Sequence, residues 1–215
     1  MMLALPDSDI KNVNFFKIRN EISSILLSVD KISFLIFYDF SLRVAFESYD
    51  NNFSIFLNNF RNIYPVSYQV YGSAVKKVNE LFFKRNAVFP LIPRNDVLSF
   101  IANNIELKKQ GFFIIEIERS KIPLAAMKKL VVRRFINKTR NSSEKEIGKE
   151  VMKKLSLPIY RVRMYSSDPE IMKIAYDFKT GQGLTSKGKK IFMNTYELAY
   201  FIHYPMSLNS LRRPW

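Results

Sequence analysis

The chain has no cysteine, one histidine, one tryptophan and six glycines in 215 residues. Without cysteine there is no disulfide framework, no thiolate nucleophile and no Cys-based metal site. The lone His203 lies among apolar and aromatic residues with no nucleophile or carboxylate at motif spacing, so it reads as a packed or surface side chain. HExxH, paired-His and EF-hand patterns are missing, and no metal or cofactor is expected. Long apolar runs are missing too. The best candidate, ISFLIFYDFSLRVAF, is interrupted by Asp39 and Arg43 and falls short of the roughly 18 residues a membrane helix needs, so no membrane span is expected. MMLALPDSDIKN has neither an Arg-rich character nor a charged region followed by an apolar one, and no cleavable targeting peptide is expected.

Acidic residues are scarce: 34 Lys and Arg face 19 Asp and Glu, for a formal net charge of +15 and a pI near 9.9. Such an excess favours a polyanionic partner, because bound phosphates release their counterions. The excess is lopsided. Residues 1–92 carry 10 basic and 8 acidic side chains, net +2, whereas residues 93–215 carry 24 and 11, net +13. From Arg119 to Arg140 there are eight basic residues and no acidic one, the densest phosphate-seeking stretch of the chain.

The apolar content of 47% implies a globular chain. Phe15, Ile18, Ile22, Ile25 and Leu26 recur at helical spacing. Residues 32–40 and 42–48 are strand-like in type, NFSIFLNNFRN is helical, PVSYQVY is a short strand, and AVKKVNELFFKR is expected to be a helix. Pro90 and Pro93 mark a boundary after this first α/β unit. Beyond it, Asn95 caps a helix bearing Val97, Leu98, Ile101 and Ile105. FFIIEI is a strand with Glu116 and Glu118 facing away from Ile115 and Ile117. Ser120 caps a basic helix with Lys128, Lys129 and Arg133 opposite its apolar stripe. NKTRNSSEKEIGKEVMKKLS reads as an insertion with a short helix. LPIYRVRMYS reads as a strand with Arg161 and Arg163 on one face, and EIMKIAYDFKT as a further strand. The expected fold is α+β. It comprises an N-terminal α/β extension over residues 1–92, a small helix-strand-helix-strand-strand domain over 93–200 and a tail over 201–215.

In Asn95 to Ile136, Asp96, Leu98, Ile101 and Asn103 are followed by Ile115, Glu116 and Ile117, by the pair Ser120 and Lys121, and by Phe135 and Ile136. Further on come Ser186, Lys187, Gly188, Lys190, Ile191 and Phe192, then Glu197 and Leu198. This ordered set resembles the bacterial and organellar small-subunit ribosomal protein S-eight family over residues 94–200. The proline of the family's Ser-Lys-Pro-Gly turn is missing. So are the Ser-Thr-Ser-x-Gly loop and Gly-Gly-Glu strand of its second lobe, which implies a lobe that is lost, remodelled or supplied by another chain.

The resemblance implies a structural, non-enzymatic constituent of the small ribosomal subunit that binds the central domain of its rRNA. The abundance of Phe, Tyr, Ile, Asn and Lys, residues with A/T-rich codons, fits an organelle-encoded protein of the mitochondrial matrix ribosome; a cytoplasmic location is the alternative. The expected RNA-binding residues are Asn103, Arg119, Ser120, Lys121, Lys128, Lys129, Arg133, Arg161, Arg163, Ser186, Lys187, Gly188, Lys189 and Lys190. In the loop GQGLTSKGKK the glycines let backbone amides approach phosphate oxygens that the lysines neutralise. The nearly neutral extension would contact neighbouring ribosomal proteins. Two other readings are a stand-alone viral or plasmid-type nucleic-acid-binding protein and a metal-dependent nuclease built on Asp96, Glu116, Glu118, Asp168 and Asp177.

Overall fold

The computed structural model describes residues 2–6, 15–39, 41–64, 66–70, 72, 76–85, 87–92, 111–120, 142–167 and 182–203. Its strands are β1 (Met2–Pro6), β2 (Lys31–Asp39), β3 (Ser41–Glu47), β4 (Val66–Val70), β5 (Glu80–Phe83), β6 (Gly111–Arg119), β7 (Ile159–Ser166), β8 (Leu184–Thr185) and β9 (Ile191–Asn194). Its helices are α1 (Phe15–Leu26), α2 (Phe53–Ile63), α3 (Ser142–Ser156) and the single turn α4 (Thr195–Leu198). The expected α+β class is what the structure has. Among the described residues no helix is long and apolar enough to cross a membrane.

The strands form one mixed-length sheet in the order β4-β1-β3-β2-β6-β7-β5-β8, with β9 also on β7. All the pairings are antiparallel. Strand alternation sorts the side chains. Phe34 and Ile36, Val44 and Phe46, Ile115 and Ile117, and Val162 and Met164 enter the main core with Ile18, Ile22 and Leu26 of α1 and Phe56 and Phe60 of α2. Phe46 sits at its centre, its ring centroid 4.8 Å from Phe60 and 5.3 Å from Phe56, both edge-on. On the sheet's second face Leu35, Ala45 and Ile114 are buried, with Phe37, Phe112 and Tyr165 packed against them.

Asp50 links two of these elements. Its carboxylate accepts the Asp30 amide at 2.7 Å, just before β2, and the Asn52 amide at 2.8 Å, at the start of α2. The Asn52 and Asp30 amides hold its pKa below the ordinary 3.8.

Four expectations change. The segment AVKKVNELFFKR contains strand β5 where a helix is expected. Val75, Val78 and Phe82 imitate helical spacing, but the edge of β7 takes Glu80 opposite Tyr165 and Leu81 opposite Met164, and Leu81 and Phe83 are buried by period two. The helix in the supposed insertion runs 15 residues and buries Val151 and Leu155 against Val88. The division at residue 92 separates neither sheet nor core. β2 pairs with β6 from Lys31↔Glu118 to Tyr38↔Gly111, and one hydrophobic cluster draws on both sides of that division. Phe201, Ile202 and His203, assigned to a tail, are fully buried. The helices expected over 95–110 and after Ser120 and the strand in EIMKIAYDFKT lie outside the described residues.

The C-terminal half is tied together by a buried ion pair. Lys154 of α3 and Glu197 of α4, 1% and 5% exposed at their side chains, approach to 3.1 Å. Glu197 also accepts the Leu91 amide at 2.6 Å and the Asn194 amide at 2.9 Å, while the Asn194 side chain accepts the Glu197 amide at 2.8 Å. This reciprocal capping box starts α4. Burial raises the pKa of Glu197 and lowers that of Lys154, and the pairing opposes both shifts.

Glu197→Ala strands the Lys154 ammonium and is expected to cost about 3–5 kcal/mol in urea unfolding. Lys154→Met with Glu197→Gln recovers more of that loss than Lys154→Met with Glu197→Leu, because only glutamine still offers an acceptor to the amides of Leu91 and Asn194. Asp50→Asn removes a stabilisation that is full above pH 3.8 and is lost as pH falls through the lower folded value. The unfolding free energies of native and Asp50→Asn protein therefore converge in acid.

Candidate nucleic-acid interface

β7 carries Arg161, Arg163 and Tyr165 on the sheet's second face, because Tyr160, Val162 and Met164 take the core side. Its outer edge is shared. β9 covers Ile159 to Val162, ending at Val162↔Ile191, and β5 covers the far end, starting at Met164↔Leu81. The two strands part beside Arg163, making a fork in the sheet. A cavity of about 310 Å³ lies there, lined on one side by Glu80, Phe82 and Lys190 and on the other by Arg161, Arg163 and Tyr165.

The loop Ser186–Lys190 leads into this fork, and Lys190 is its residue that lines the cavity. β5 pairs with β8 through Phe82↔Thr185 and Phe83↔Leu184. Beyond that, the Phe83 amide donates to the Lys189 carbonyl and the Lys189 amide to the Phe83 carbonyl, both at 2.8 Å. Lys187, Lys189 and Lys190 are thus exposed on a backbone pinned at two points. Gly188 is what permits the close approach, since a Cβ there would collide with the Phe83 carbonyl oxygen.

The face is not uniformly positive. Glu116 stands opposite Arg163 and Glu118 opposite Arg161 on β6. Glu116 receives the Lys77 ammonium in a close ion pair and lies 4.0 Å from Arg163. That carboxylate raises the Lys77 pKa. Glu116 is therefore engaged by cations. Among the described residues no three His, Cys, Asp or Glu side chains gather as a metal site. Asp96, Asp168 and Asp177 lie outside the described residues.

Of the RNA-binding residues expected from sequence, the structure brings Arg161, Arg163 and Lys190 to one cavity, while Ser186, Lys187, Gly188 and Lys189 lie on the exposed turn that leads to Lys190 and do not line it. Arg119 is elsewhere. It falls on the core-side register of β6 and turns to Asp30, 3.4 Å away, at the end of the sheet. Ser120 donates its amide to the Ile159 carbonyl at 2.9 Å, joining the ends of β6 and β7. Asn103, Lys121, Lys128, Lys129 and Arg133 lie outside the described residues. Sequence reasoning missed Phe82 and Glu80 because it placed them on a helix. It also missed Tyr165, although the alternation of Arg161 and Arg163 leads directly to it.

A second cavity, about 290 Å³, is lined by Arg19, Tyr196, Tyr200 and the Lys154–Glu197 pair, and among the described residues none of the expected site residues lines it. There the Arg19 guanidinium donates to the Tyr200 hydroxyl at 2.7 Å and lies over both tyrosine rings.

Gly188→Ala is expected to push the lysine loop off β5. Amide hydrogen exchange at Phe83 and Lys189 should quicken while exchange in β2 and β6 stays unchanged; equal protection in the variant would mean that the loop does not need this glycine. Compared with protein-family models, curated proteins and solved structures, the chain matches none.

Proposed function

We propose that this chain is a structural, rRNA-binding constituent of a small ribosomal subunit, of mitochondrial and organelle-encoded type, that grips RNA through the fork between β5 and β9. The observation that carries this reading is the convergence of Arg161, Arg163 and Lys190 on one cavity, with Lys187 and Lys189 exposed on the turn that leads to Lys190. Arginine forks and lysine ammonium groups at such a place hold phosphate oxygens, and groups on paired strands are already ordered before RNA arrives. The net +13 of residues 93–215 supports a polyanionic partner. The S-eight resemblance supports the ribosomal assignment, with rRNA of the central domain as the partner. Exposed Tyr49, Ile55 and Val70 in the N-terminal half support protein neighbours on that side.

Replacing Arg161, Arg163 and Lys190 together by alanine is expected to weaken rRNA binding and to lower the slope of log affinity against log salt by about 3, one for each phosphate no longer neutralised. Thermal unfolding should move little. Cosedimentation of native protein with small ribosomal subunits in high salt tests the assembly. Protein that stays free and binds any nucleic acid in a salt-sensitive way would instead be a stand-alone nucleic-acid-binding protein.

A further inference from the structure

The fork is polarised along β7. At one end stands Arg161, in the middle Arg163 with Lys190, which precedes the Ile191↔Val162 pair, and at the other Tyr165 beside Glu80, its register partner on β5. Phe82 is on the same face as Glu80, since Leu81 and Phe83 are turned into the core. Phe82 follows the Leu81↔Met164 pair and so comes level with Arg163; the cavity thus runs from Arg161, through Arg163, Lys190 and Phe82, to Tyr165 and Glu80. A phosphate is favoured at the Arg161 end and repelled at the Glu80 end. A carboxylate at Glu80 accepts hydrogen bonds, which suits a ribose hydroxyl or an exocyclic amine.

Size points the same way. A cavity of about 310 Å³ lies at the small end of ligand pockets, which span roughly 300–1,000 Å³. That is room for one nucleotide and not for the width of a duplex. The Tyr165 ring is also braced. It packs against the Leu35, Ala45 and Ile114 cluster and has the Lys77 ammonium 5.8 Å from its centroid. A ring held this way loses little freedom when a base stacks on it.

We propose that the fork seats one unpaired nucleotide, with its phosphate on Arg161, Arg163 and Lys190 and its base against Phe82 and Tyr165. This rests on the RNA-binding reading above and narrows it to single-stranded RNA at this site. Fluorescence anisotropy with an oligouridylate and with an RNA duplex of equal length tests it. Tyr165→Leu and Phe82→Leu are each expected to weaken oligouridylate binding about 5- to 30-fold and duplex binding by less than about twofold, while Tyr165→Phe, which keeps the ring, stays near native. Ultraviolet cross-linking of oligouridylate to the native protein, mapped by mass spectrometry, needs no substitution and should mark β5 or β7 at these rings. Cross-links confined to other segments, or leucine variants that weaken both RNAs equally or neither, overturn the proposal while leaving RNA binding intact. Native protein that binds neither RNA overturns the RNA-binding reading itself.

Discussion

Lys154 and Glu197 are sealed from water against each other, and the geometry of the C-terminal half follows from satisfying them. Each charge costs several kcal/mol to desolvate, and their attraction repays this only while the remaining hydrogen bonds are made. Those bonds come from separate places: the Leu91 and Asn194 amides on Glu197, and the Phe89 carbonyl 3.4 Å from the Lys154 ammonium. The ammonium also lies over the Phe83 ring, 5.2 Å from its centroid. Asn194 ends β9 and Phe83 ends β5. Both prongs of the fork are thus referenced to one buried pair, and a shift of α3 by one turn would strand a charge. Such a pair acts less as net stabilisation than as a selector of one packing.

The electrostatics of the fork are of the opposite kind, open and partly balanced. Glu116 and Glu118 flank Arg163 and Arg161 across the strand. Cross-strand carboxylates hold the guanidinium groups over the sheet and moderate their attraction for any passing polyanion. Lys187 and Lys189 have no acidic neighbour on the short turn that carries them, and supply the longer-range pull. The inner group is carried by β7 and the outer by the turn before β9, which the close approach of Gly188 to Phe83 holds against β5.

Much of this was legible in the sequence where one period dominates. α1, α2, β2, β3, β4, β6 and β7 each show their buried face by simple spacing, and the basic side of β7 follows from alternation. β5 was not, because four residues cannot outweigh an adjacent pattern that also fits a helix; its strand state depends on the edge of β7, a partner some 80 residues further on. The same blindness hid the fork, since the side chains of Phe82 and Lys190 meet only through pairings distant in sequence. β1 was missed because Met2–Pro6 is short, and its place between β3 and β4 is set by both neighbours. The Lys154–Glu197 pair gives no local sign. Lys154 sits among Lys149 and Lys153, which are exposed, and only tertiary packing distinguishes it.

The strand order also sets a timetable for synthesis. β1 emerges before its partners but is held between β3 and β4, so it waits for residue 70 to be made. β2 emerges early, yet the strand that covers its outer edge, β6, follows only after β4 and β5, and β6 in turn waits for β7. For that interval the nascent chain exposes the edge of β2, rich in Phe and Ile, a template on which other strands can add. Closure of the sheet runs backward, from pairings made late in synthesis to edges made early, and such long-range pairing is slow. A translation product that stops before β6 is therefore not a smaller version of this protein but an open sheet edge.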